Sequence, residues 1–83
     1  MKRVVILASG SGTLAQAIFD ARTTTLADVD IVAVISDNKD AQVIDRAETA
    51  HVESYVIPMM ADRTQWDREL ETLLSALKPD LVV

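Results

Sequence analysis

The chain has 83 residues, room for one small domain, and chains of this size bury only about 60% of the surface they expose when unfolded. Hydrophobic residues make up 49% and charged residues 25%, a globular composition and not a disordered one. The net charge of -5 argues against a nucleic-acid surface, and the lack of cysteine removes disulfides and thiolate metal sites. No stretch approaches the ~20 apolar residues of a membrane span. Met1-Lys2-Arg3 leads into the apolar run Val4–Ala8, which falls short of the roughly 7–15 residues of a signal-peptide core. A soluble, cytoplasmic chain is expected, with no membrane and no nucleic-acid partner.

In chain order, Val4-Val5-Ile6-Leu7-Ala8 is continuous, β-rich and too short for a helix, so it reads as a strand buried on both faces. Leu14, Ala17, Ile18 and Ala21 then fall at helical spacing, from about Thr13 to Arg22, followed by a polar turn at Thr23-Thr24-Thr25. Ile31-Val32-Ala33-Val34-Ile35 gives a second strand. Val43, Ile44 and Ala47 mark a short second helix, with Asp40 as the expected N-cap. Tyr55-Val56-Ile57 is a weaker third strand, ending at Pro58.

The third helix is the clearest. Trp66, Leu70, Leu73, Leu74 and Leu77 follow one buried stripe, Thr64 with Asp67 suggests a capping-box pair, and Lys78-Pro79 ends it. Leu81-Val82-Val83 opens a fourth strand. The order β-α-β-α-β-α-β predicts a three-layer, doubly wound α/β fold, Rossmann-like, with a parallel sheet in strand order 3-2-1-4. An apolar fourth strand at the C-terminus would leave an exposed edge, an association hazard. That ending suggests a fragment truncated after the fourth strand, with self-association through that edge.

Ser9-Gly10-Ser11-Gly12-Thr13 lies between the first strand and the first helix. A helix N-terminus offers unpaired N–H groups and roughly half a positive charge, and glycine lets backbone approach an anion closely. The position, at the carboxyl end of the sheet near its switch point, is where such folds bind ligands. Phosphate binding is therefore the expected use of the turn, against the alternative of a tight turn with Thr13 as a simple cap. Gly10-x-Gly12-x-x-Ala15 also satisfies the loose dinucleotide fingerprint, with Asp37 as a candidate ribose contact. A nicotinamide-dependent oxidoreductase thus stays open, as does a phosphate-binding module without chemistry.

The run from Val4 to Leu14, with Gln16-Ala17-Ile18, resembles the opening of the phosphoribosylglycinamide formyltransferases. Ser36-Asp37-Asn38-Lys39-Asp40-Ala41, Asp62-Arg63 with Trp66-Asp67-Arg68-Glu69-Leu70, and Pro79-Asp80-Leu81-Val82-Val83 resemble further segments of that family. The resemblance spans the whole chain, which would be the N-terminal mononucleotide-binding half of a formyltransferase domain. It implies transfer of a formyl group from 10-formyltetrahydrofolate, as co-substrate, to the amine of glycinamide ribonucleotide in purine biosynthesis.

By motif position the ribose phosphate would fall on Ser11, Gly12, Thr13 and Leu14, mainly through backbone N–H groups. The family often has Asn where Leu14 stands, so a side-chain contact is lost there. Arg63 matches a family arginine near the folate; a surface residue at a helix start is the competing reading. The family's catalytic Asn, His and Asp lie beyond the fourth strand, so no catalytic residue is expected here and the segment alone should be inactive. A surface role fits His51 better than catalysis, and loop packing fits Met59-Met60. Asp28, Asp30, Asp62, Asp67, Glu69 and Glu71 lack metal-ligand spacing and read as solvated faces, so no metal is expected.

Overall fold

The computed structural model describes residues 2–8, 10–22, 24, 28–58 and 62–83. These form, in order, β1 (Lys2–Leu7), α1 (Thr13–Ala21), β2 (Val29–Ser36), α2 (Gln42–Thr49), β3 (Ser54–Val56), α3 (Arg63–Leu77) and β4 (Leu81–Val82). The strands pair in parallel in the order β3-β2-β1-β4, as the alternation predicts.

Both faces of the sheet are covered, which is why its strands read as unbroken apolar runs. Val4, Ile6, Ile31 and Val34 pack with Ala15, Phe19, Val43 and Ala47 under α1 and α2. Val5, Ala33, Ile35 and Ile57 face α3, against Trp66, Leu70, Leu73, Leu74 and Leu77. The chain changes faces after β3, so the switch point lies between β1 and β4.

A bulge adjusts the central pair. Val4 pairs with Ile31 but Val5 pairs with Ala33, leaving Val32 as the extra residue. Val32 and Ala33 both pack on the α3 side, after which Val34 and Ile35 resume alternation.

Helix phases and ends depart from the sequence reading at four places. The buried positions of α1 are Ala15 and Phe19, four residues apart, with Ile18 partly buried beside them. Leu14 is 66% exposed and Ala17 faces solvent. Leu14 lies on the solvent side of α1, one position before the buried Ala15, so its apolar character does not mark the core. Ala41, not Asp40, is the N-cap of α2, and it supplies no side-chain bond. Asp40 instead donates its backbone N–H to Asn38 Oδ1 at 3.0 Å, as part of the turn before the helix.

At α3 the cap is Asp62. Its Oδ1 accepts from Thr64 N at 2.9 Å and Gln65 N at 3.4 Å, while Asp67 pairs with Arg63 rather than with Thr64. The apolar stripe of α3 is the predicted one, but none of its residues is fully buried. Trp66 anchors the first turns by donating Nε1–H to Ile57 O at 3.0 Å. Arg3 holds the other end: its Nη2 donates to Leu77 O at 2.6 Å, and its Nε lies 3.2 Å from Leu77 O and Lys78 O. A cation there also meets the negative end of the helix dipole. The Asp80 carboxylate accepts from Arg3 N at 2.8 Å, tying β1 to β4.

His51 terminates α2. It adopts φ 60, donates N–H to Glu48 O, and Val52 N–H reaches back to Ala47 O at 2.8 Å. This double closure is the left-handed helix stop that glycine usually fills. Lys78, with φ 52, is the left-handed stop of α3, closed by a single bond from its N–H to Leu74 O at 2.9 Å, since Pro79 has no N–H. The exposed Leu81, Val82 and Val83 line the β4 edge. Met59, Met60, Thr23 and Thr25 lie outside the described residues.

His51→Gly is expected to raise stability by about 1 kcal/mol, by relieving left-handed strain. Asp62→Ala should lower it by about 1 kcal/mol through loss of the cap. Urea unfolding monitored by circular dichroism reads both; a destabilised His51→Gly would contradict the structural assignment of this histidine.

Candidate functional site

The carboxyl end of the sheet collects the turn between β1 and α1, the turn between β2 and α2, and the start of α3. At the first of these, Gln16 N–H donates to Gly12 O at 2.8 Å and begins the helix. Gly12 is the N-cap residue, with φ 78 and no side-chain cap, so Thr13 does not cap the helix. Among the described residues, the N–H groups of Gly12, Thr13, Leu14 and Ala15 have no acceptor. Ser11 and Thr13 are exposed beside them. Four unpaired donors at the positive end of a helix can receive one anion. Ser9 lies outside the described residues.

The two glycines have different reasons to be there. A Cβ on Gly10 would meet nothing within 4 Å. A Cβ on Gly12 would lie 2.7 Å from Val43 Cβ and Cγ2, and 2.9 Å from Val43 Cα. Gly12 is therefore fixed by positive φ and by close approach of α2, before any ligand is considered.

One turn along α2 from Val43, Arg46 donates Nε–H to Ser11 O at 2.7 Å and Nη1–H to Gln16 Oε1 at 3.3 Å. Sequence reasoning did not find Arg46. The available signal was its position three residues after Val43, on one face of a helix adjoining the glycine turn.

In the second turn, the buried Ser36 hydroxyl donates to Asn38 O at 3.2 Å and accepts from Asn38 N at 3.1 Å. Asp37 is half-buried and lines a cavity of about 170 Å³ with Leu7, Ala8, Ile35, Ser36 and Trp66. Arg63 stands at the start of α3. Its guanidinium lies 5.1 Å from the Trp66 ring centroid, and its Nε is 3.1 Å from Asp67 Oδ1. With side chains 74% and 59% exposed, that ion pair contributes little to stability and leaves the guanidinium open to solvent.

The structure thus places Ser11, Gly12, Thr13 and Leu14 at one helix start. Arg63 stands separately, on the α3 side. His51 sits before the amino end of β3, at the opposite edge of the sheet. Among the described residues there is no cluster of metal-ligating side chains, and no helix long and apolar enough to cross a membrane.

The formyl transferase family model matches residues 2–83. The chain belongs to the formyl transferase family. Its relatives include phosphoribosylglycinamide formyltransferase of Escherichia coli (strain K12), 35% identical over 82 residues, covering 96% of this chain and 39% of that protein. A second is the trifunctional purine biosynthetic protein adenosine-3 of Drosophila melanogaster, 36% identical over 85 residues, covering 98% of this chain and 6% of that one. Among solved structures, glycinamide ribonucleotide transformylase 1 from Symbiobacterium toebii superimposes with a TM-score of 0.90 at 37% identity, covering 99% of this chain and 40% of its own. The chain spans about two fifths of the length of the bacterial relatives. Membership of the formyl transferase family sets aside the nicotinamide reading of Gly10-x-Gly12-x-x-Ala15. Within this fold, buried Ala15 packs α1 onto the sheet.

Gly12→Ala is expected to destabilise the protein by about 2–4 kcal/mol, summing left-handed strain and overpacking. Adding Val43→Ala should not rescue it, because Val43 Cβ and Cα remain in the way. Gly10→Ala should fold like the parent. Thermal melts of the three variants test the contrast, and equal melting temperatures for the two glycine variants would refute it.

Proposed function

We propose that this chain supplies the ribose-phosphate side of a phosphoribosylglycinamide formyltransferase. The carrying observation is the set of N–H groups from Gly12 to Ala15 with no acceptor among the described residues, at the carboxyl end of a sheet with this family's fold. Gly12, Thr13 and Leu14 hold the phosphate of glycinamide ribonucleotide through backbone N–H groups, with the Ser11 and Thr13 hydroxyls alongside. Leu14 contributes only its main chain, since its side chain is apolar.

The reaction joins the glycinamide amine to the formyl carbon of 10-formyltetrahydrofolate, through a tetrahedral oxyanion that collapses to release tetrahydrofolate. Such a step requires a positioned proton shuttle and donors for the oxyanion. This chain's part is to bind and orient the nucleotide. Its one histidine closes α2 at the far edge of the sheet. Arg63, exposed above Trp66, is the group of this chain placed toward the folate. The adjoining 170 Å³ cavity is smaller than the roughly 300–1,000 Å³ typical of ligand pockets, so it holds no more than a part of that co-substrate. A purine-biosynthetic role of this kind carries a cytoplasmic location with it.

Titration with ribose 5-phosphate, followed by NMR, should shift the backbone amides of Gly12, Thr13 and Leu14 in a saturable way. Shifts confined to other elements would remove the turn from the site. With 10-formyltetrahydrofolate and glycinamide ribonucleotide, the 83 residues alone should bind nucleotide without turnover.

The apolar β4 edge supports a second expectation, self-association of the isolated 83 residues. Sedimentation should show concentration-dependent oligomers that Val82→Lys suppresses; monomers throughout would refute it.

A further inference from the structure

We infer that Arg46 is a positioning residue that locks the Ser11–Gly12 peptide in its anion-receiving orientation; the inference rests on the phosphate reading of the turn and adds the device that sets it. The two atoms that matter belong to one peptide unit. In a trans peptide the C=O and the following N–H point in opposite directions. Arg46 Nε–H holds Ser11 O at 2.7 Å, toward α2. The Gly12 N–H is thereby aimed away from α2, where it has no acceptor among the described residues.

Rotation of that peptide would bring the Ser11 carbonyl toward the anion and withdraw the Gly12 donor. Gly12, with φ 78 and no side chain, offers little intrinsic resistance to such a rotation. The resistance comes from α2. Val43 meets the Gly12 Cα from one side, and Arg46 captures the Ser11 oxygen one turn later. Arg46 is itself held by Gln16 Oε1, and Gln16 Nε2 donates to Asp20 Oδ1 at 2.9 Å. The fork of the guanidinium suits this double contact, where a lysine ammonium has no second arm.

The test compares Arg46→Met and Arg46→Lys with the parent protein, using inorganic phosphate and ribose 5-phosphate as probes. Binding is read from amide NMR titrations, and folding from circular dichroism. Arg46→Met should lose roughly tenfold or more in affinity for both probes, the scale of a hydrogen bond to a charged group. Its Gly12 amide resonance should also move in the ligand-free protein. Arg46→Lys keeps the charge, so it should fall between parent and Met variant, with a displaced Gly12 resonance. Should Arg46→Met not fold, the Lys variant decides: intermediate affinity supports the lock, and full affinity refutes it.

Parent-like binding by Arg46→Met overturns the inference and leaves the phosphate site standing. Full recovery in Arg46→Lys, with the Gly12 resonance of Arg46→Met unmoved, assigns the loss to charge alone and also overturns it. Absence of binding by the parent protein overturns the site and the lock together.

Discussion

The close approach of α2 to the start of α1 governs the carboxyl end of this molecule. Gly12 sits so near Val43 that no Cβ fits between them, and its positive φ is a second reason for glycine at this position. A helix–helix contact thus constrains a turn whose N–H groups have no acceptor among the described residues. The glycine-rich sequence reads first as a ligand motif. In the fold it is first a packing motif, and the free donors result from where the packing leaves them. The proposed ligand use is compatible with this packing, since the contact with Val43 leaves the N–H groups of Gly12 to Ala15 without an acceptor among the described residues.

The sheet carries this arrangement because it is buried on both faces. Two helices cover one side and α3 covers the other, so the chain reverses its winding between β1 and β4. Ligands of such sheets bind at this reversal, where loops from the two sides diverge and leave a crevice. The turn after β1 borders it, as does Leu7, whose N–H bonds to Val83 O at 2.8 Å. The bulge at Val32 belongs to the same economy of space. It sends two neighbouring residues to the α3 side and restores alternation before Ser36, whose hydroxyl organises the second turn.

Much of this was legible in the chain because strand and helix differ in period. Short apolar runs alternating with helical stripes fixed element order, parallel pairing and strand order. The candidate site was legible in outline, since a glycine-rich turn after the first strand has few physical uses. Other features left no trace of their own. The run Ile31–Ile35 is apolar throughout, so no alternation betrays a bulge within it. Asp40 and Thr64 are good caps by composition, yet capping depends on backbone angles that put Ala41 and Asp62 at the helix starts. The bond from Arg46 to Ser11 spans 35 residues, and the place of Arg46 three residues after Val43 points to a helix face without naming its partner.

One helix stands apart in how it is held. None of the residues of α3 is fully buried. The polar contacts tying it to the sheet sit near its two ends, at Trp66 and at Arg3. An element with only half-buried apolar contacts and polar ties at its ends detaches before one keyed into the interior. The subdomain of β1, β2, α1 and α2 should therefore outlast α3 under denaturing stress, producing a partly open species in which the turn between β1 and α1 is intact while the opposite flank of the sheet lies bare. Val5, Ala33 and Ile35 would then meet solvent while the contact between Gly12 and Val43 still holds.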